Sequence, residues 1–176
     1  MIDVYEELGV RKVINCMGEV TLIGGSRVDP SVMDAMIEAS RSFCHLTELN
    51  DRASEIISDI TGAEAGMITS GAAASMMIAA AACMMKDTDL ENIDIHYDME
   101  NYPYENSEWQ EIMWQLPCTK NLKDEFIAQK SHSNPYINNF TIPGGKIVWI
   151  GEGNNCSKED IEKAITGKTA LDRRRD

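Results

Sequence analysis

The chain has 176 residues, 29 of them acidic and 16 basic, which gives a formal net charge of −13 and a pI near 4.6. That length suits one domain with a sizeable core, and 43% apolar with 26% charged residues reads as a globular protein and excludes a disordered one. The acid excess disfavours RNA or DNA, which is normally held by clustered Lys and Arg that release counterions, and no apolar run approaches a membrane span.

The opening MIDVYEELGVRKVIN has neither a basic start before a long apolar run nor an Arg/Ser-rich leader, so a cytoplasmic location is expected. Residues 1–29 read as an arm with tight turns, because Gly18, Gly24 and Gly25 punctuate the short apolar pieces VIN and VTLI. Residues 30–176 read as a second, main region. It begins with a helix at Asp29-Pro30, where Asp accepts from free N–H groups and Pro tolerates the first helical position. Val32, Met33, Met36, Ile37 and Phe43 are expected along one face of this helix.

A second amphipathic helix follows, carrying Leu46, Leu49, Ala53, Ile56, Ile57 and Ile60, with Gly62 as its left-handed C-terminal residue. Met67-Ile68-Thr69 is expected as a short buried strand and Ser70-Gly71 as the turn after it. Ala72 to Met85 has almost no polar residue, so a helix buried on all sides is expected there.

Residues 87–111 carry nine carboxylates and no Lys or Arg, with Tyr97, Tyr102, Tyr104, Trp109 and Trp114 interleaved in or just after them. The segment, about 87–115, is a solvated acidic insertion, an added surface helix around Glu108 to Gln115, or a partner-binding patch. Regular structure resumes with a strand at Phe126-Ile127-Ala128, a helix start at Asn134-Pro135 and a strand over Lys146 to Ile150. A short helix capped by Ser157 and Asp160 then ends at Gly167. Alternating strands and helices predict an α/β fold with parallel crossovers.

Cys16, Cys44, Cys83, Cys118 and Cys156 form no CxxC pair. They are read as reduced thiols without zinc-ligand spacing. The chemically suggestive stretch is Ser70-Gly71-Ala72-Ala73, between the expected strand and helix. Free N–H groups and the positive end of a helix dipole make a phosphate seat there, and small residues leave the backbone open. The competing reading is that these residues are small only so that the helix can pack closely on a sheet.

Five stretches carry a family resemblance: INCMGEVTLIGGS, DAMIEASRSF, ELNDRASEIISDITGAEAGMITSGAAAS, SHSNPY and GGKIVWIGEGNNCSKEDIEKAITGKTA. In order and spacing they resemble the selenocysteine synthase-like family of fold-type-I pyridoxal 5'-phosphate enzymes, which includes L-seryl-tRNA(Sec) selenium transferase and D-glucosaminate-6-phosphate ammonia-lyase. The resemblance implies the large domain of an aminotransferase-like fold, three αβα layers around a mainly parallel sheet.

It further implies that Ser70, Gly71, Ala72 and Ala73 hold the phosphate of pyridoxal 5'-phosphate and that His132 stacks on its ring. Asn15, Gly18, Thr21, Gly24 and Gly25 match a glycine-rich segment near the substrate and the dimer interface, although ordinary turn chemistry explains those glycines equally. The implied activity is a lyase or transferase reaction on an amino acid or amino sugar acid by α,β-elimination, in a homodimer or larger homo-oligomer. Selenium transfer to seryl-tRNA and a non-catalytic remnant or acidic interaction module are the alternatives.

The chain also departs from the family pattern. Cys16 and Met17 replace small residues, Glu19 replaces a small hydroxyl, and Ser133 stands where a basic residue often follows the histidine. Losing that cation and gaining Glu19 weakens the case for an anionic substrate. None of the nine lysines stands where the resemblance implies the Schiff-base lysine, so the chain is expected to represent the N-terminal part of such an enzyme.

Overall fold

The computed structural model describes residues 3–91 and 114–170. Most of the acidic segment, and with it the insertion, surface-helix and partner-patch readings, lies outside the described residues. The chain divides into two units, Met1–Leu49 and Asn50–Asp176, with the boundary inside one helix.

The first unit contains α1 (Val4–Glu7) and α2 (Pro30–Ala39). Asp29 caps α2 as the sequence predicts, its carboxylate accepting from the Ser31 N–H at 2.9 Å. The expected apolar face of α2 is not covered: Val32, Met33, Met36 and Ile37 are all exposed, and Phe43 lies beyond the end of the helix. Amphipathic spacing shows that a face is apolar, but burial needs a second element to lie on it.

Helix α3 (Leu46–Thr61) crosses the boundary and stops at Gly62, whose φ of 72° is the left-handed conformation expected there. Only half-buried Ala53 and Ile57 of its apolar set are partly covered, while Leu46, Leu49, Ile56 and Ile60 are exposed.

In the second unit, α4 (Ala72–Met85) has the predicted bounds, followed by β1 (Glu125–Gln129), α5 (Asn138–Thr141), β2 (Lys146–Ile150) and α6 (Lys158–Ala164). β1 and β2 pair in parallel, with Glu125 opposite Lys146 and Gln129 opposite Ile150. A parallel pair needs a crossover, and residues 130–145 supply it through two 3-10 turns and α5. On the other edge of β1 a parallel bridge joins Glu125 to Thr169, with Glu125 N–H donating to the Lys168 carbonyl at 2.9 Å and Ala170 N–H to the Glu125 carbonyl at 2.9 Å. β1 is therefore central and the chain is α/β.

Three expectations are corrected. Met67-Ile68-Thr69 forms no strand and is not buried, with Met67 60% and Ile68 58% exposed, because no neighbouring strand among the described residues supplies a ladder. α4 is buried along one side only: Ala80 and Met84 are fully covered while Ile78 is exposed. α6 ends at Ala164, three residues before Gly167, where the sequence reading ends it, and Ile165 closes it by donating to the Ile161 carbonyl at 3.2 Å.

The small core joins Met84, Leu122 and Ala170, with Cys83, Leu116 and Phe126 packed against it. Phe126 meets Phe140 of α5 at 5.4 Å between ring centroids, which fastens the crossover to the sheet. At the amino ends of the strands Asp124 is 2% exposed. Its Oδ2 accepts from Lys146 Nζ at 2.7 Å and from the Thr119 hydroxyl at 2.8 Å, while Oδ1 has no partner among the described residues. Burial pushes this carboxyl up, but the bonds from Lys146 and Thr119 and the charges of Lys146 and Lys168 outweigh burial and hold it below its ordinary range.

Candidate cofactor site

The glycine before α4 decides the local geometry. Gly71 is the N-cap with φ 153° and ψ 173°, a backbone conformation that residues with a Cβ rarely adopt, and open space surrounds the place where a Cβ would stand. The first helical bond inward from the cap is Ser75 N–H to the Gly71 carbonyl at 3.0 Å. The N–H groups of Ala72, Ala73 and Ala74 therefore have no helical acceptor, and no side chain caps the helix. Ala72 and Ala73 are exposed, so these donors face solvent at the positive end of a 14-residue helix.

A hydroxyl clip holds this opening. Thr69 Oγ1 accepts from Gly71 N–H at 3.3 Å, donates to the Gly71 carbonyl at 3.1 Å and lies 2.7 Å from Ser75 Oγ. Thr69 and Ser75 escape the sequence reading, although two hydroxyl residues bracketing SGAAA are a visible signal. The Ser70 hydroxyl is exposed and makes no hydrogen bond among the described residues, so it remains available as a further donor.

The N-terminus of α4 thus fits a phosphate on three counts: free donors converge on it, no side chain obstructs it, and Gly71 allows close approach. Behind it, α4 packs against α5, which ties the candidate seat to the crossover between β1 and β2.

His132 ends the 3-10 turn Lys130–His132, directly after the carboxyl end of β1. Its ring is exposed, and its backbone carbonyl accepts from Asn134 Nδ2 at 2.9 Å. Asn134 in turn accepts from Tyr136 N–H at 2.9 Å and caps the next turn, so the SHSNPY stretch positions His132 through local bonds. No hydrogen bond joins His132 to Ser70, Gly71, Ala72 or Ala73 among the described residues. The carboxyl ends of parallel strands are nonetheless where α/β folds place their ligands.

Thr21, Gly24 and Gly25 belong to the first unit. Thr21–Ile23 is a 3-10 turn closed by Gly24 at φ 96°, and Gly25 at φ 73° bridges back to Val20. Asn15 secures the preceding bend, its amide donating to the Gly18 carbonyl at 2.5 Å and its Oδ1 accepting from Met17 N–H at 2.9 Å. These bonds account for the glycines as turn residues. Among the described residues all five cysteines are free and no cluster of His, Cys, Asp and Glu could hold a metal. No helix of the described residues is long and apolar enough to cross a membrane.

The chain is a parallel α/β unit with an uncapped, glycine-led helix N-terminus, and comparison with known proteins shows what it is similar to. No family model matches the chain. The chain is 30% identical to D-glucosaminate-6-phosphate ammonia lyase of Salmonella typhimurium over 172 residues, covering 96% of this chain and 41% of that protein. It is 27% identical to 5'-C-glycyluridine monooxygenase-decarboxylase of a Streptomyces species over 171 residues, covering 94% of this chain and 38% of that protein.

A solved structure of D-glucosaminate-6-phosphate ammonia-lyase superposes with a TM-score of 0.78 at 29% identity, covering 96% of this chain and 41% of the other. The resemblance read from the sequence is borne out: over nearly its whole length the chain is a relative of D-glucosaminate-6-phosphate ammonia lyase. It spans about two fifths of the length of the curated relatives it matches.

Proposed function

We propose that these residues form the cofactor-holding part of a fold-type-I pyridoxal 5'-phosphate enzyme that eliminates ammonia from an amino sugar acid. The observation that carries this reading is the open N-terminus of α4 behind Gly71 in a chain related to an ammonia-lyase. Pyridoxal 5'-phosphate, when bound, withdraws the electrons left by α-proton removal so that a β-substituent can depart.

The chain's own part is binding and orientation. Ser70, Gly71, Ala72 and Ala73 donate to the phosphate, with Thr69 and Ser75 keeping the loop open from behind. His132 covers one face of the ring. No lysine of the 176 residues is assigned a role in proton transfer. The arm with Thr21, Gly24 and Gly25 borders the substrate and, through exposed Ile14, Met17 and Leu22, packs on a second copy in a homodimer. Free thiols suit a reducing cytoplasm.

The test is a titration of the chain with pyridoxal 5'-phosphate, followed by absorbance and by the protein's tryptophan fluorescence. Saturable binding is expected, and Gly71→Val is expected to weaken it at least tenfold while leaving the far-ultraviolet circular dichroism unchanged. Equal affinity for pyridoxal and its phosphate would contradict the proposal.

A further inference from the structure

Beyond the phosphate seat, a second polar hollow of about 920 Å³ opens where β1 and β2 end, between Lys130 and the loop 151–157. The loop is built tightly. Glu152 N–H donates to the Asn155 carbonyl at 2.8 Å and Asn155 N–H returns to the Glu152 carbonyl at 2.9 Å. Gly151 has φ 78°, and a Cβ there would stand 2.5 Å from the Asn155 carbonyl oxygen, so only glycine permits this closure. Asp160 is committed to the Ser157 N–H at 2.9 Å and hydroxyl at 3.0 Å. The side chains of Lys130, Glu152, Asn154 and Asn155 line the hollow and make no hydrogen bond or ion pair among the described residues.

The chemistry of those four groups selects a ligand class. Each Asn amide offers a donor and an acceptor together, which is what an alcohol group needs, and a carboxylate accepts from two adjacent hydroxyls. Glu152 and Asp160 against Lys130 leave the hollow with an excess of negative charge, which rejects a phosphate dianion. The loop shares its strand ends with the turn that carries His132, so a ligand there continues away from the ring-stacking position.

We propose that this hollow receives the polyhydroxylated chain of the substrate, Lys130, Glu152, Asn154 and Asn155 holding its hydroxyls. The proposal deepens the ammonia-lyase reading and rests on it for the link between hollow and substrate. It also resolves the tension raised by Ser133 and Glu19, because recognition by hydroxyls needs no added cation.

The test is a two-dimensional amide NMR titration of the chain with D-gluconate, with neutral sorbitol and with inorganic phosphate. Both polyols are expected to shift the backbone amides of residues 151–157 and the side-chain amides of Asn154 and Asn155, sorbitol at least as tightly as gluconate, and inorganic phosphate is expected to leave them in place. Asn154→Ala and the shape-preserving Glu152→Gln are each expected to raise the Kd about fivefold, the loss of one or two hydrogen bonds. Polyol shifts that leave 151–157 untouched, or that persist with equal affinity in both variants, would overturn the proposal. Pyridoxal 5'-phosphate is added separately: shifts at Ser70–Ala74 without any polyol response refute the hollow and leave the cofactor reading standing, while the opposite pattern refutes the cofactor reading alone.

Discussion

Replacing Asp124 by Ala tests how the strand ends are fixed, and its consequence can be worked from the geometry. Asp124 is 2% exposed and accepts from Thr119 at 2.8 Å and Lys146 at 2.7 Å, while its own backbone carbonyl accepts from Lys146 N–H at 2.7 Å. The backbone bond survives the substitution. The Thr119 bond to a buried charged group contributes about 1.5–3 kcal/mol. The Lys146 ammonium, 63% exposed, returns to water and adds little. About 2 kcal/mol is therefore lost, or roughly 4–8 °C in Tm for a chain of this length.

The pH dependence has a fixed sign. The folded carboxyl lies below its ordinary value of 3.8, so its stabilisation is fully present above that value and disappears as the pH falls through the lower folded value. Thermal melts of the chain and of Asp124→Ala between pH 3 and 7 are expected to differ most at pH 7 and to approach one another toward pH 3. A Tm difference that is under 2 °C at pH 7, or that grows as the pH falls, would refute the reasoning.

Other substitutions test separate elements. Gly145→Ala places a Cβ 2.3 Å from the Phe140 carbonyl and 2.6 Å from the Phe126 ring, so a loss of about 1–3 kcal/mol is expected in urea melts. Ser157→Ala removes the hydroxyl that accepts from Asp160 N–H, leaving the backbone half of the capping box, and is expected to cost about 1 kcal/mol in the same assay. Met84→Ala empties the centre of the core, and a loss of about 2–5 kcal/mol is expected, with the far-ultraviolet helix signal retained at low temperature.

What the sequence made legible was what neighbouring residues decide among themselves. Asp29-Pro30, Gly62 and the Ser157–Asp160 box mark helix ends because each acts within a few residues of the backbone it caps. The two strands were legible for the same reason, their apolar runs being short and bounded. What failed depends on distant partners. Met67-Ile68-Thr69 has strand composition, but a strand exists only where another lies beside it, and periodicity cannot report that. The uncovered faces of α2 and α3 fail alike.

In the candidate site, Ser70 and Gly71 were legible as a turn before a helix, whereas the Thr69–Ser75 clip and the Asp124 pair close through space and leave only a weak trace in the text. The sequence reading gives the loop 151–157 no role of its own, because its uncommitted side chains come together only in the folded chain.

The central claim, that the N-terminus of α4 holds the phosphate of pyridoxal 5'-phosphate, is tested most directly by amide NMR of the chain with the phosphorylated and unphosphorylated forms of the vitamer. The account predicts that pyridoxal 5'-phosphate shifts the amides of Gly71, Ala72, Ala73 and Ala74 and that pyridoxal leaves them in place. Shifts from both forms alike, or shifts confined to residues outside this turn, would contradict it.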